Sequence, residues 1–254
     1  MRKKIFLDSW RTEFSGHPHY SSLGNKILHL YFCINYAEKH NLELRIPQNS
    51  NIDKVFDTSQ IIEDTENKVL IFNEPNEYNT NIPTNIFNDS RNQLFEESYF
   101  LNSLLQTEYD VYVKGHFPHY ELMPDINVVK KYLSYNNDNF NKVINLLKLY
   151  DKNTIFVHYR GTDFKNHENG MGDCRLKEHY YHQSFQISKS KFTDPRFVCL
   201  SDDPHFFEDF KSLYHIETIS NPYEIDWLIL HLCKNLISSN SSFCWTAALH
   251  NKDF

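Results

Sequence analysis

Thr154-Ile155-Phe156-Val157-His158-Tyr159-Arg160-Gly161-Thr162-Asp163 is the stretch on which the fold turns. Thr154 to His158 is a short, mostly apolar run that opens straight into a polar loop, as a buried strand does. In parallel α/β sheets, ligands lie beyond the carboxyl ends of strands. Arg160 follows the strand directly, where packing has no need of a long solvated side chain. Its guanidinium presents a planar fork suited to phosphate, and Asp163 could hold that fork. The same residues also fit a structural Arg–Asp pair, and residue types alone do not separate the two.

Working outward, the pattern around this strand repeats. A helix is expected over Lys177 to Ser188 and a strand over Phe197 to Leu200, ending at Ser201-Asp202-Asp203. Pro204 to Leu213 reads as a helix with Pro in its first turn. A strand over His215 to Ile219, a helix over Ile225 to Asn235 and a strand over Leu236 to Ser238 complete this half. Upstream, Ile5 to Leu7 is a strand, followed by a loop. Leu23 to His40 carries Ile27, Leu28, Leu30, Tyr31, Ile34 and Ala37 at helical spacing. Leu42 to Ile46 alternates and stops at Pro47, completing a βαβ unit. Residues 47–98 are polar and Asn-rich, with Val69 to Phe72 a strand, and Val111 to Val113 is another. Helices are expected around Ile126 to Leu133 and Asn139 to Tyr150. Strands alternating with helices imply an α/β fold with covered parallel sheets. Two units are expected, 1–150 and 151–254.

Three further features lie at strand or helix ends. The acidic pair Asp202-Asp203 could bind a metal, a ribose or a guanine edge. Asp203 before Pro204 also fits an N-cap, so Asp203 is assigned the cap and Asp202 the ligand. Ser239-Asn240-Ser241-Ser242-Phe243 stands between a strand and a helix through Trp245 to Leu249. Hydroxyls and free N–H groups there could hold an anion, while ordinary N-capping accounts for them equally. Gly24-Asn25 opens the first helix, where a small residue lets a ligand approach the backbone.

Bulk properties narrow the partners. A formal net charge of −7 argues against a nucleic-acid duplex as ligand. Among 14 His, the close pairs His17/His19 and His116/His119 lack a third ligand at zinc spacing, so no metal is expected. The five Cys form no CxxC pair, which suggests a reducing compartment. The apolar run at Ile5 to Leu7 is too short for a signal-peptide core or a membrane span. A cytoplasmic protein is expected, with peripheral membrane association and homo-oligomerisation left open.

Taken together, the motifs resemble the fucosyltransferase superfamily. Leu23-Gly24-Asn25-Lys26 is similar to the "LGNQ" helix of the alpha-1,2-fucosyltransferases. Val113-Lys114-Gly115-His116-Phe117, continuing to Tyr120, resembles their "GYFQS…YF" segment. Asp226 to Leu249, with Cys233, Asn240-Ser241-Ser242-Phe243 and Trp245, resembles their "DL…C…NSSFSWW" segment. The central motif is closer to the alpha-1,6-fucosyltransferases, which read "HVRRTDK" and then a Glu. Glu168, ten positions after His158, matches that Glu, and Asp202-Asp203-Pro204 looks like their "TDDP". Gly161 stands where the family's second Arg stands and Phe164 where its Lys does, which leaves Lys165, Lys177 or another cation to serve there.

The resemblance implies a GT-B architecture of two Rossmann-like domains facing a cleft, the C-terminal one holding GDP-fucose and the N-terminal one most of the glycan acceptor. It implies an inverting, metal-free transfer with no cofactor. Carried over by position, Arg160 binds the β-phosphate and Glu168 takes the acceptor proton. His158 and Asp202 contact the nucleoside, Asp163 binds the donor, Ser241 and Ser242 face the phosphates, and Gly24 and Asn25 approach from the other domain. A catalytically degenerate binding protein of the same fold, or a transferase for another GDP-sugar, fits the same motifs. The family pattern runs further than Phe254, so a pared C-terminal end with exposed apolar surface is expected.

Overall fold

The computed structural model of the chain describes residues 4–7, 23–46, 51–61, 69–73, 110–114, 123–162, 164–165, 173–249 and 251. The chain divides into two compact units, 1–134 and 135–254. The sequence places this change near residue 150. The difference is the helix Asn137–Leu147, which packs on the helix Tyr223–Leu232 and so belongs to the second unit.

The first unit holds strands β1 (Lys4–Leu7), β2 (Glu43–Arg45), β3 (Val69–Asn73) and β4 (Asp110–Lys114), and helices α1 (Leu23–His40) and α2 (Ile126–Tyr132). The strand order is β2-β1-β4-β3 and every pairing is parallel, with Ile5 opposite both Leu44 and Val111. All six residues that mark α1 as helical are buried. So are His29, Phe32, Cys33 and Tyr36, which makes the middle of α1 buried nearly all round. Asn41 ends α1 with a φ of 53°, and the Leu42 N–H donates to the Ala37 carbonyl at 2.9 Å. That six-to-one bond is a Schellman stop, and it turns the chain straight into β2.

The second unit repeats the plan. It holds α3 (Asn137–Leu147), β5 (Thr154–Tyr159), α4 (Glu178–Lys191), β6 (Arg196–Ser201), β7 (Ile216–Ile219), α5 (Tyr223–Leu232), β8 (Leu236–Ile237) and α6 (Ser242–Ala248). The order β8-β5-β6-β7 is again all parallel. β5 is buried along its whole length because neighbours flank it on both sides and helices cover it. The core is strongly aromatic: Tyr159, Tyr181, Phe185, Phe197, Phe207, Phe210 and Tyr214 join Ile155, Val157, Cys199 and Ile237. α4 contributes Tyr181, Phe185 and Ser188, one helical face.

Between β6 and β7 the expected single helix is two 3₁₀ turns, Pro204–Phe207 and Asp209–Ser212. The buried Phe207 and Phe210 lie three residues apart, the spacing that a 3₁₀ turn brings to one side. Asp203 makes no side-chain cap there. Its own N–H is taken instead by Ser201 Oγ at 2.8 Å, so the capping role assigned to it is corrected.

Candidate functional site

The site lies where β5, β6 and β8 end. Asp202, just past β6, reaches across to the loop after β5. Its Oδ1 accepts from the Gly161 N–H at 2.7 Å. Its Oδ2 accepts from the Thr162 hydroxyl at 2.6 Å and the Thr162 N–H at 3.3 Å. The Arg160 guanidinium pairs with the same oxygen at 3.2 Å. One carboxylate therefore fixes the loop and orients the arginine. Burial pushes the Asp202 carboxyl up, but these donors and Arg160 outweigh it and hold the group below its ordinary value.

Gly161 is needed by packing. A Cβ built there would stand 2.7 Å from Asp203 Cβ and 2.8 Å from Tyr159 Cε1. The Tyr159 ring is itself stacked on Phe206, with centroids 3.7 Å apart. The loop thus has no room for a side chain at 161.

On the neighbouring strand end, His158 is buried and its Nδ1 lies 2.7 Å from Ser239 Oγ. Burial pushes its pKa down to about 4. Arg160 pushes the same way, and Asp202 opposes them. The imidazole is neutral at physiological pH, a hydrogen-bonding group rather than a charge. It stacks on Phe243 of α6, with ring centroids 5.5 Å apart. Ser239 Oγ also accepts from the Ser241 N–H at 3.3 Å. Ser241 is the N-cap of α6, its Oγ accepting from the Phe243 N–H at 3.3 Å, while Ser242 is the first helical residue. His158 and the serine loop, 81 residues apart, form one connected unit.

A third segment joins them. The Cys174 N–H donates to the Phe164 carbonyl, and Asn240 Nδ2 donates to the Cys174 carbonyl, each at 2.9 Å. Next to it, Asp173 receives both Nε and Nη2 of Arg175 at 2.8 Å, and Lys177 Nζ at 2.6 Å. Where α4 begins, Tyr180 donates to the Ser238 carbonyl at 2.7 Å and Tyr181 to that of His158 at 3.0 Å. Sequence reading named Lys177 but not Asp173 or Arg175. Asp-x-Arg is an ordinary loop pattern, and only the two bridges through Cys174 place it here.

The other candidates fall elsewhere. Asp163 and Glu168 lie outside the described residues, as do His17, His19, His116 and His119. Gly24, buried, and Asn25 open α1 in the first unit. Among the described residues no cluster of His, Cys, Asp and Glu could hold a metal ion, and no helix is long and apolar enough to cross a membrane. All five cysteines are free thiols.

No protein-family model matches the chain, and no curated protein does. Solved structures do. The fucosyltransferase NodZ from Bradyrhizobium matches with a TM-score of 0.55 and 14% identity, over 97% of this chain and 93% of that one. NodZ alpha-1,6-fucosyltransferase soaked with GDP-fucose gives 0.54 and 15%, over 98% and 92%. A mutant of FUT1 from Arabidopsis thaliana in complex with GDP gives 0.56 and 13%, over 98% and 69%. At such identities the likeness is one of fold. The chain is an α/β protein of GT-B type, with two Rossmann-like units.

Proposed function

We propose that this protein is an inverting glycosyltransferase that moves fucose from GDP-fucose to a glycan hydroxyl. One observation carries the reading. Arg160 is held at the carboxyl end of β5 by Asp202, beside a buried neutral histidine and a serine-capped helix start. It sits there on a fold shared along nearly its whole length with enzymes solved with GDP or GDP-fucose.

In this reading Arg160 binds the β-phosphate and stabilises the charge that develops on the leaving diphosphate, the main electrostatic demand of the reaction. His158 meets the nucleoside through a hydrogen bond. Asp202 serves the donor chiefly by setting Arg160 and the Gly161–Thr162 loop, and Asp163 is a further donor-binding residue. Ser241 and Ser242 face the phosphates. Glu168 accepts the proton of the attacking hydroxyl, and the transition state is oxocarbenium-like. No metal or cofactor takes part. The first unit, which carries Gly24 and Asn25, receives the acceptor. The protein works in the cytoplasm, at or near a membrane surface where glycans are assembled.

Isothermal titration with GDP and GDP-fucose in the presence of EDTA tests the donor assignment. Both should bind at one site, and no heat from either at millimolar ligand removes the assignment. Glu168→Gln should abolish release of GDP from GDP-fucose in the presence of acceptor while leaving GDP affinity unchanged. Binding without turnover is the second reading, favoured by Gly161, which bears no cation. GDP binding by a protein that releases no GDP across a broad acceptor panel would select it.

A further inference from the structure

We infer that Arg175 is a second phosphate-binding cation of this site, set in place by Asp173 and assisted by Lys177. The inference rests on the nucleotide-sugar reading above and extends it to a residue outside the central motif.

The central motif alone is short of positive charge for a diphosphate. A nucleoside diphosphate bound without a metal carries two to three negative charges that cations and N–H donors must meet. Arg160 meets part of that demand but shares its charge with Asp202. Position 161 cannot contribute, because a Cβ there collides with Asp203 and the Tyr159 ring. With position 161 closed, a further cation can reach the strand ends from another segment.

The 173–177 segment does so. Its Cys174 backbone is hydrogen-bonded on one side to Phe164, in the loop after β5, and on the other to Asn240, just before α6. β5 and β8 are adjacent strands, so these two loops flank one mouth of the sheet. Arg175 is held there bidentately by Asp173. It also lies near enough to the Tyr159 phenol to oppose, by its charge, the rise that burial gives that group. A guanidinium has five N–H donors, and Asp173 engages two of them. Arg175 and Lys177 share one carboxylate, which leaves one positive charge in excess. The Arg175 side chain keeps 24% of its surface exposed, so it is fixed in place yet reachable. A surface ion pair that served stability alone would gain little, since such pairs contribute about 0–1 kcal/mol.

The experiment is titration of the full chain with GDP and with guanosine, for wild type, Arg160→Ala, Arg175→Ala, Arg175→Lys and Asp173→Asn. Arg175→Ala should weaken GDP about ten- to a hundredfold, the effect of one charge-assisted phosphate contact, and leave guanosine unchanged. Arg175→Lys should fall between, keeping the charge but losing the fork. Asp173→Asn should weaken GDP less, and should add nothing in the double variant with Arg175→Ala if Asp173 acts only by positioning. Melting curves show whether each variant folds. If Arg175→Ala does not fold, Arg175→Lys and Asp173→Asn carry the test. GDP affinity within twofold of wild type in every folded Arg175 or Asp173 variant overturns the inference. When that happens while Arg160→Ala still weakens GDP, the nucleotide-sugar reading survives. A wild type that binds no GDP overturns both.

Discussion

At the scale of single residues, Gly161 and Asp202 explain each other. The carboxylate of Asp202 reads the backbone of Gly161 and Thr162, and that close approach leaves Asp203 no distance to give. Gly161→Ala should therefore cost about 1–3 kcal/mol through overpacking, seen as a lower denaturant midpoint at unchanged slope. Gly161→Arg should cost more and should not tighten GDP, because its side chain has no path past Tyr159. A Gly161→Arg variant that melts like wild type and binds GDP more tightly would contradict this account of the loop. Asp202→Asn should weaken GDP through the loop and the arginine that it holds. An amide offers one acceptor oxygen where the carboxylate gives two, and it removes the charge that orients Arg160. Guanosine affinity separates the outcomes, since a fall there as large as that for GDP would make Asp202 a nucleoside ligand instead.

At the scale of elements, α5 and α6 are joined by a buried polar seam. Trp227 Nε1 donates to Thr246 Oγ1 at 3.0 Å, and His231 Nδ1 to the Ala247 carbonyl at 2.8 Å. The Tyr135 hydroxyl closes the far side of His231 at 2.7 Å. Because α6 carries Phe243 against His158, this seam supports the candidate site from behind. Thr246→Val keeps the volume but removes the acceptor for the indole. It should cost about 1–3 kcal/mol, measured by urea unfolding, with little change in GDP affinity. Elements of this kind were legible in the sequence where one local signal dominates. The apolar runs of β5 and β6 and the 3.6-residue spacing of α1 placed those elements within one or two residues. Legibility failed where the deciding partner is distant in sequence. Nothing in Asp-x-Arg shows that Cys174 is bridged to Phe164 and Asn240. The limit of the first unit failed for the same reason, since only the packing of α3 on α5 assigns that helix.

At the scale of the whole molecule, the buried His158 and the half-buried Asp226 pull the pH dependence of stability in opposite directions. His158, pushed down to about 4 by burial and Arg160, stays neutral in the folded state while the unfolded chain titrates at its ordinary value near 6.5. Between those values the unfolded state holds the extra proton, so the His158 contribution is lost as pH falls from about 6.5 to 4. Asp226, in the first turn of α5, is pushed up to about 6 by burial, against the hydrogen bonding of Asn221. Here the folded state holds the extra proton, so the Asp226 contribution is present below about 3.8 and is lost as pH rises through 6. The two slopes offset each other between about pH 4 and 6. Asp202, held below its ordinary value, adds a loss only at the acid end. Unfolding free energies by urea at several pH values should separate the pair. Asp226→Asn should steepen the acid loss between pH 6 and 4 relative to wild type, because the His158 slope then stands alone. His158→Gln should flatten or invert the slope over the same interval. If the variants shift stability by an amount that does not change with pH, both groups titrate alike in the folded and unfolded states. The buried neutral imidazole assigned to the nucleotide end of the site would then have to be given up.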